Sequence, residues 1–163
     1  MDNISIERIK TLHPAGRDSA MRVLQLSDVA LTGRAVLRLA NVFRSFAEQT
    51  DLYAQGRTKK GPKVTWAKAG YSFHNYGLAF DIVLIIDGKT ASWNMQQDYD
   101  FDHLPDWMEV VQICKAEGWE WGGDWKTKKD YPHFEKRFGY TESELVKKYH
   151  EKDFIPGTQY VNL

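Results

Sequence analysis

The chain has 163 residues, 42% of them apolar and 13% aromatic, which suits one domain with a buried core. Twenty-two Lys and Arg balance twenty-two Asp and Glu, so the formal charge is zero and no whole-chain field draws in nucleic acid or an anionic membrane. No run approaches the roughly 20 apolar residues that span a bilayer, so stable membrane association is not expected either.

The amino-terminal MDNISIERIKTLHP carries an early acid and no apolar run of the signal-peptide kind, which leads us to expect a protein made in the cytoplasm without an export signal. ISIERIKTL and DSAMRVLQLSDVAL place apolar residues at three- and four-residue spacing, the period of helices with one buried face, with Gly33 as a stop for the second. RAVLRLANVFRS reads as a strand, and FAEQTDLYAQG as a helix closed by Gly56. RTKKGPKVTWAKAGY, Arg57 to Tyr71, reads as an ordered basic loop.

LAFDIVLIIDGK is β-branched and ends in Asp-Gly, a core strand running into a turn. SWNMQQDYDFDHLP reads as a second long loop, and LPDWMEVVQICKAEG as a helix with Pro105 at its start, Asp106 and Glu109 at capping-box-like spacing, and Gly118 at its end. The lone Cys114 lies on that helix's apolar pattern and reads as a small buried hydrophobe. WEWGGDW and PHFEKRF look like short strands around a loop, and TESELVKKYHEK like a last helix with Thr141 and Glu144 as its capping box. Helices mixed with mostly antiparallel strands, without a βαβ rhythm, predict a single α+β domain: a helical part over about 1–33 and a core over about 34–150. A monomer is expected.

In SFHNYGLAFD, His74 precedes Asp81 by seven residues. Residues seven apart on a regular strand face opposite ways, so the two meet only if the chain turns between them, and Gly77 permits that. A carboxylate at the start of a core strand needs a partner, and a metal ion would supply one. His133, with Asp130 three residues before it, is the strongest candidate for a third ligand, since catalytic zinc sites commonly use three protein ligands. Singly, His74 reads as a core or surface histidine, Asp81 as an arginine's partner and Arg44 as a surface residue at a strand end.

The pattern Ser-x-His-x-x-Gly-x-Ala-x-Asp followed by Asp-x-x-His resembles the zinc D-alanyl-D-alanine peptidases. The stretches FRSFAEQTDLYAQGRT, SFHNYGLAFDIVL, WEWGGDW and DYPHFE are similar to their L-alanyl-D-glutamate branch of bacterial and phage origin. The resemblance implies a small antiparallel sheet flanked by helices and one Zn²⁺ held by His74, Asp81 and His133. It further implies Asp130 as catalytic carboxylate, Arg44 as the partner of the substrate carbonyl, and Ser72 near the substrate. Carboxypeptidase and dipeptidase relatives often carry Glu where this chain has Asp130. Trp66, Trp121, Trp125 and Tyr131 are candidates to line the cleft. The implied substrate is the peptidoglycan stem peptide, cut between its first and second residues. The implied setting is a phage endolysin, held in the host cytoplasm until a holin pore releases it to the wall. A D-alanyl-D-alanine carboxypeptidase and a non-catalytic zinc-bearing domain stay open as alternatives.

One further pattern stands outside this resemblance. Asp98, Asp100, Asp102, Asp106 and Glu109 occupy the first, third, fifth, ninth and twelfth positions of an EF-hand-like spacing, but His103 replaces the glycine at position six and Pro105 sits inside. A Ca²⁺ site and a solvated loop with a helix cap are both open readings.

Overall fold

In the computed structural model, which describes residues 1–163, two helices come first: α1 (Asn3–Ile9) and α2 (Pro14–Ala30). Asp2 caps α1 by accepting from the Ser5 N–H at 2.9 Å, and Pro14 fits the first turn of α2, where its missing N–H costs nothing. Gly33 does not terminate α2, whose cap is Leu31. Its role is close approach instead: a Cβ there would lie 2.5 Å from Cβ of Asp100.

The sheet has five strands: β1 (Ala35–Asn41), β2 (Ala79–Ile86), β3 (Thr90–Ser92), β4 (Glu120–Trp121) and β5 (His133–Glu135). All pairings are antiparallel, and β2 is the hub, bonded to β1 along its length, to β3 at its end and to β5 at its start. The Asp87-Gly88 turn thus joins β2 to β3, a strand that the polar sequence after the turn did not announce. Side chains alternate along β2. Phe80, Ile82, Leu84 and Ile86 enter the main core with Leu37 and Leu39 of β1 and Phe134 of β5. Asp81, His133 and Glu135 have the opposite parity, so they share the other face.

Helix α3 (Phe46–Ala54) starts in a full capping box of Ser45 and Glu48, a signal the sequence reading passed over. Helix α4 (Asp106–Ala116) packs on the main core through Trp107, Val110, Val111 and Cys114. The thiol of Cys114 is buried and pushed up by desolvation, as a structural cysteine should be. The expected capping box at its start is not formed: Pro105 is the cap residue, and Asp106 accepts instead from the Tyr99 N–H at 2.7 Å. Helix α5 (Glu142–His150) has its predicted box of Thr141 and Glu144. A smaller core of Phe73, Tyr76, Leu78, Ala79, Leu145 and Val161 ties α5 and the carboxyl-terminal residues to the segment that leads into β2.

This arrangement is an α+β fold of five helices and one small antiparallel sheet, the architecture expected from the sequence.

Candidate active site

His74 lies in a short 3-10 turn, Phe73–Tyr76, which ends at Gly77 in the left-handed conformation, φ +66°. The turn lets His74 double back onto Asp81, two residues into β2. A Cβ at Gly77 would meet the main-chain N of His13 at 2.6 Å, and that same N–H donates to the Gly77 carbonyl at 2.9 Å. Gly77→Ala is therefore expected to destabilise the fold by about 1–3 kcal/mol from backbone strain alone, with the clash adding to it. Thermal melts check this, and a melting temperature equal to that of the parent would refute it.

Three donor atoms converge: Nε2 of His74, Oδ1 of Asp81 and Nδ1 of His133, each 3.2 Å from the other two. Ligands on a tetrahedral zinc lie ~2.0–2.1 Å from the ion, which puts neighbouring donors ~3.3 Å apart. The donor set and its spacing fit zinc. Neighbours also orient both rings. The second nitrogen of His74, Nδ1, lies 2.7 Å from the Val42 carbonyl, to which it can only donate, and that leaves Nε2 with a free lone pair. Nε2 of His133 donates to Glu135 at 2.9 Å, freeing Nδ1 in the same way. Glu135 is in turn held by Arg137 at 2.6 Å, and Asn41 donates to the outer oxygen of Asp81 at 3.0 Å. Such outer partners fix ligand orientation and basicity.

The electrostatics follow from this packing. Burial opposes the charged forms of Asp81 and Glu135, but hydrogen bonds from His133, with His74 for Asp81 and Arg137 for Glu135, hold both carboxyls below their usual range. Burial likewise disfavours a charged His133, yet Asp81 and Glu135 outweigh it and push its pKa up to about 9. In protein stripped of metal, this raised value contributes stability that is fully present below pH 6.5 and lost as pH rises through about 9. In the metal-free state a proton thus occupies the His133 nitrogen that would ligate an ion, so zinc binding at neutral pH is expected to release a proton and to strengthen as pH rises towards 9. Calorimetry in buffers of different ionisation enthalpy measures this; buffer-independent heats would contradict it.

The cluster opens into a cleft of about 1040 Å³. Asp130, Arg44, Ser72 and Trp125 all line it, as does Trp66. Asp130 reaches its place because Gly122 lets the chain pass: a Cβ at Gly122 would lie 2.4 Å from the Asp130 carbonyl oxygen. Partial burial and the nearby charge of Asp81 raise the Asp130 carboxyl above the ordinary range, against His133, His74 and Arg44, which lower it. Arg44 is held by the fully buried Gln49, whose Oε1 accepts from it at 3.0 Å while the Gln49 amide donates to the Ala67 carbonyl at 2.8 Å. The basic loop after α3 forms one wall, and Lys128 places its ammonium 4.5 Å from the Trp66 ring, joining that wall to the segment before Asp130.

Two aromatic candidates do not belong to the cleft. Tyr131 and Trp121 pack on each other, ring centroids 5.9 Å apart, and the Trp121 indole donates to the Tyr131 carbonyl at 2.7 Å. Tyr131, one residue after Asp130, is not among the residues that line this cleft. Sequence reading also missed Glu135, Arg137, Asn41 and Gln49. The alternation His133, Glu135, Arg137 was the available signal for the first two, because residues two apart share one face of a strand.

Residues 65–136 match the family model described as D-alanyl-D-alanine carboxypeptidase. The chain is 56% identical over 93 residues to the peptidoglycan L-alanyl-D-glutamate endopeptidase CwlK of Bacillus subtilis, a match covering 57% of this chain and 56% of that protein. The chain thus spans little more than half the length of that curated relative. Its fold is similar to the L-Ala D-Glu endopeptidase ChiX of Serratia marcescens, with a TM-score of 0.57, 24% identity, and coverage of 85% of this chain and 90% of that one. His74, Asp81, Asp130 and His133 all lie within the residues that match this family model.

Proposed function

We propose that this chain, related to the D-alanyl-D-alanine carboxypeptidase family through residues 65–136, is a zinc endopeptidase that hydrolyses the L-alanyl-D-glutamate bond of peptidoglycan stem peptides. The observation that carries the reading is the equilateral set of three donors at 3.2 Å, with Asp130 and Arg44 on the same cleft. His74, Asp81 and His133 would hold the metal. Zinc bound there supplies Lewis acidity, polarising a carbonyl and making water more acidic near neutral pH.

The remaining work falls to side chains of this protein. Asp130, working as the carboxylate, takes one proton from the attacking water and passes it to the departing amine nitrogen, so one water yields one carboxylate and one amine. Arg44 donates to the carbonyl oxygen as negative charge develops on it, and Gln49 prevents the guanidinium from swinging away. The Glu135–Arg137 pair holds the His133 ring in one tautomer throughout. Trp66 and Trp125 offer flat apolar walls for the peptide, while Lys63, Lys128 and Lys129 suit its carboxylates.

Mass spectrometry of digested peptidoglycan tests the bond assignment. Fragments that begin at D-glutamate are expected; release of terminal D-alanine alone would turn the reading to a carboxypeptidase, and no product at all to a non-catalytic zinc domain. The proposal extends to a phage endolysin acting after holin-type release, a setting compatible with the resemblance of SFHNYGLAFD and WEWGGDW to a peptidase branch of both bacterial and phage origin. Rapid lysis of permeabilised but not of intact Gram-negative cells is expected, and recovery of the protein outside intact producing cells would sink this extension.

A further inference from the structure

Between β3 and α4 the chain gathers five carboxylates that the peptidase reading leaves unused. One oxygen from each of Asp98, Asp100 and Asp106 lies within 4.8 Å of the others, and the same holds for Asp100, Asp102 and Glu109, so Asp100 belongs to both groups. Most acidic clusters are solvated faces and bind nothing. This one differs in its interior: Asp106 is 0% exposed, and its Oδ2 has no hydrogen-bond partner. Oδ1 of Asp100 and Oε2 of Glu109 are likewise buried and unpartnered. A buried carboxylate oxygen with nothing to accept from is costly, and three at one place call for a cation.

We propose that the segment Asp98–Glu109 is a Ca²⁺ site, a single EF-hand-like loop whose ligands are Asp98, Asp100, Asp102, Asp106 and Glu109. The ion neutralises part of a five-fold negative charge, and its flexible shell of six to eight oxygens suits this loop better than the strict octahedron of Mg²⁺. The two departures of the sequence from the motif are both accommodated. His103, at the glycine position, itself adopts the left-handed backbone, φ +77°, that the sharp turn requires. Pro105 occupies the cap position of α4, where an N–H is not needed. Asp98 at position one already gathers the N–H groups of Asp100, Phe101 and His103. The charge crowding is visible in Glu109, which burial and then Asp102, Asp100, Asp106 and Asp98 push up to about 7. Calcium here would clamp the loop to α4 and, through the Asp100 contacts to Thr32 at 3.0 and 3.1 Å, to the end of α2. The inference is independent of the peptidase reading.

The test uses zinc-loaded full-length protein titrated with CaCl₂ in a calorimeter. One ion per chain with a dissociation constant below ~1 mM is expected, with Mg²⁺ binding more weakly. The melting temperature should rise by roughly 5–10 °C at calcium about 100-fold above that constant. Glu109→Gln should abolish the calcium heat while leaving peptidoglycan hydrolysis without added calcium unchanged. Its melting temperature in chelator should not fall, since a repelled charge is removed. On unmodified protein, terbium emission excited through the indoles should be displaced by calcium. Absence of heat and of any melting shift at about 5 mM calcium overturns the proposal. So does wild-type calcium binding by Glu109→Gln, or terbium emission that calcium does not displace.

Discussion

Replacing Asp130 with Asn is expected to lower peptidoglycan hydrolysis by ~10²–10⁴-fold while metal content stays at about one per chain. Asn preserves the size of the side chain and removes only its ability to carry a proton. Asp130 forms no part of the donor triangle, so the metal site is left as it was. Because burial and Asp81 already disfavour the ionised carboxyl, the neutral replacement should melt no earlier than the parent. The parent's activity should also fall as pH drops through a value above the ordinary 3.8 of an aspartate, since the carboxylate is the working form. Full activity in Asp130→Asn would remove this residue from the mechanism.

His133→Ala is expected to take metal content from about one ion per chain to near zero and activity to the limit of detection. Its imidazole is the one group that touches both other ligands and Glu135. Without it, Asp81 and Glu135 lose their shared partner in a buried place, and breaking such a pair costs roughly 3–5 kcal/mol. Elemental analysis measures the metal, and thermal melts the stability. Glu135→Gln separates the two effects: the ring stays, its orienting charge goes, and zinc affinity measured against a chelator should drop ~10–100-fold with residual activity at saturating zinc. Metal retained in His133→Ala at the parent's level would show that the ion sits elsewhere.

The helices and the central strands were legible because their periodicities are local properties. Apolar spacing placed α1 and α2, start and stop signals placed α4 and α5, and the β-branched run placed β2. The approach of His74 to Asp81 was legible for a different reason: with Gly77 between them, they sit in one short motif whose chemistry constrains the backbone. What escaped were partners chosen by register. Asn41 meets Asp81 only because a bulge between Leu39 and Asn41 shifts the β1 pairing, and nothing in LANVFRS announces a bulge. Gln49 reads as an ordinary polar helix residue, yet it is wholly buried beneath Arg44. Tyr131 was misplaced because adjacency to Asp130 in sequence says little where the chain turns sharply; Trp121 offered the better surface for its ring. The box expected from Asp106 and Glu109 failed for the reverse reason, since Asp106 is spent on the loop before the helix rather than on the helix itself.

Strand β2 carries Asp81 near one end and the Asp87-Gly88 turn at the other, and six residues of extended chain hold them ~20 Å apart. Nothing lies within 4 Å of where a side chain on Gly88 would begin. The tip of that hairpin is accordingly a natural splice point: a cargo module or an affinity handle grafted there projects into open solvent, and the rigid strand insulates the His74–Asp81–His133 cluster from whatever is attached.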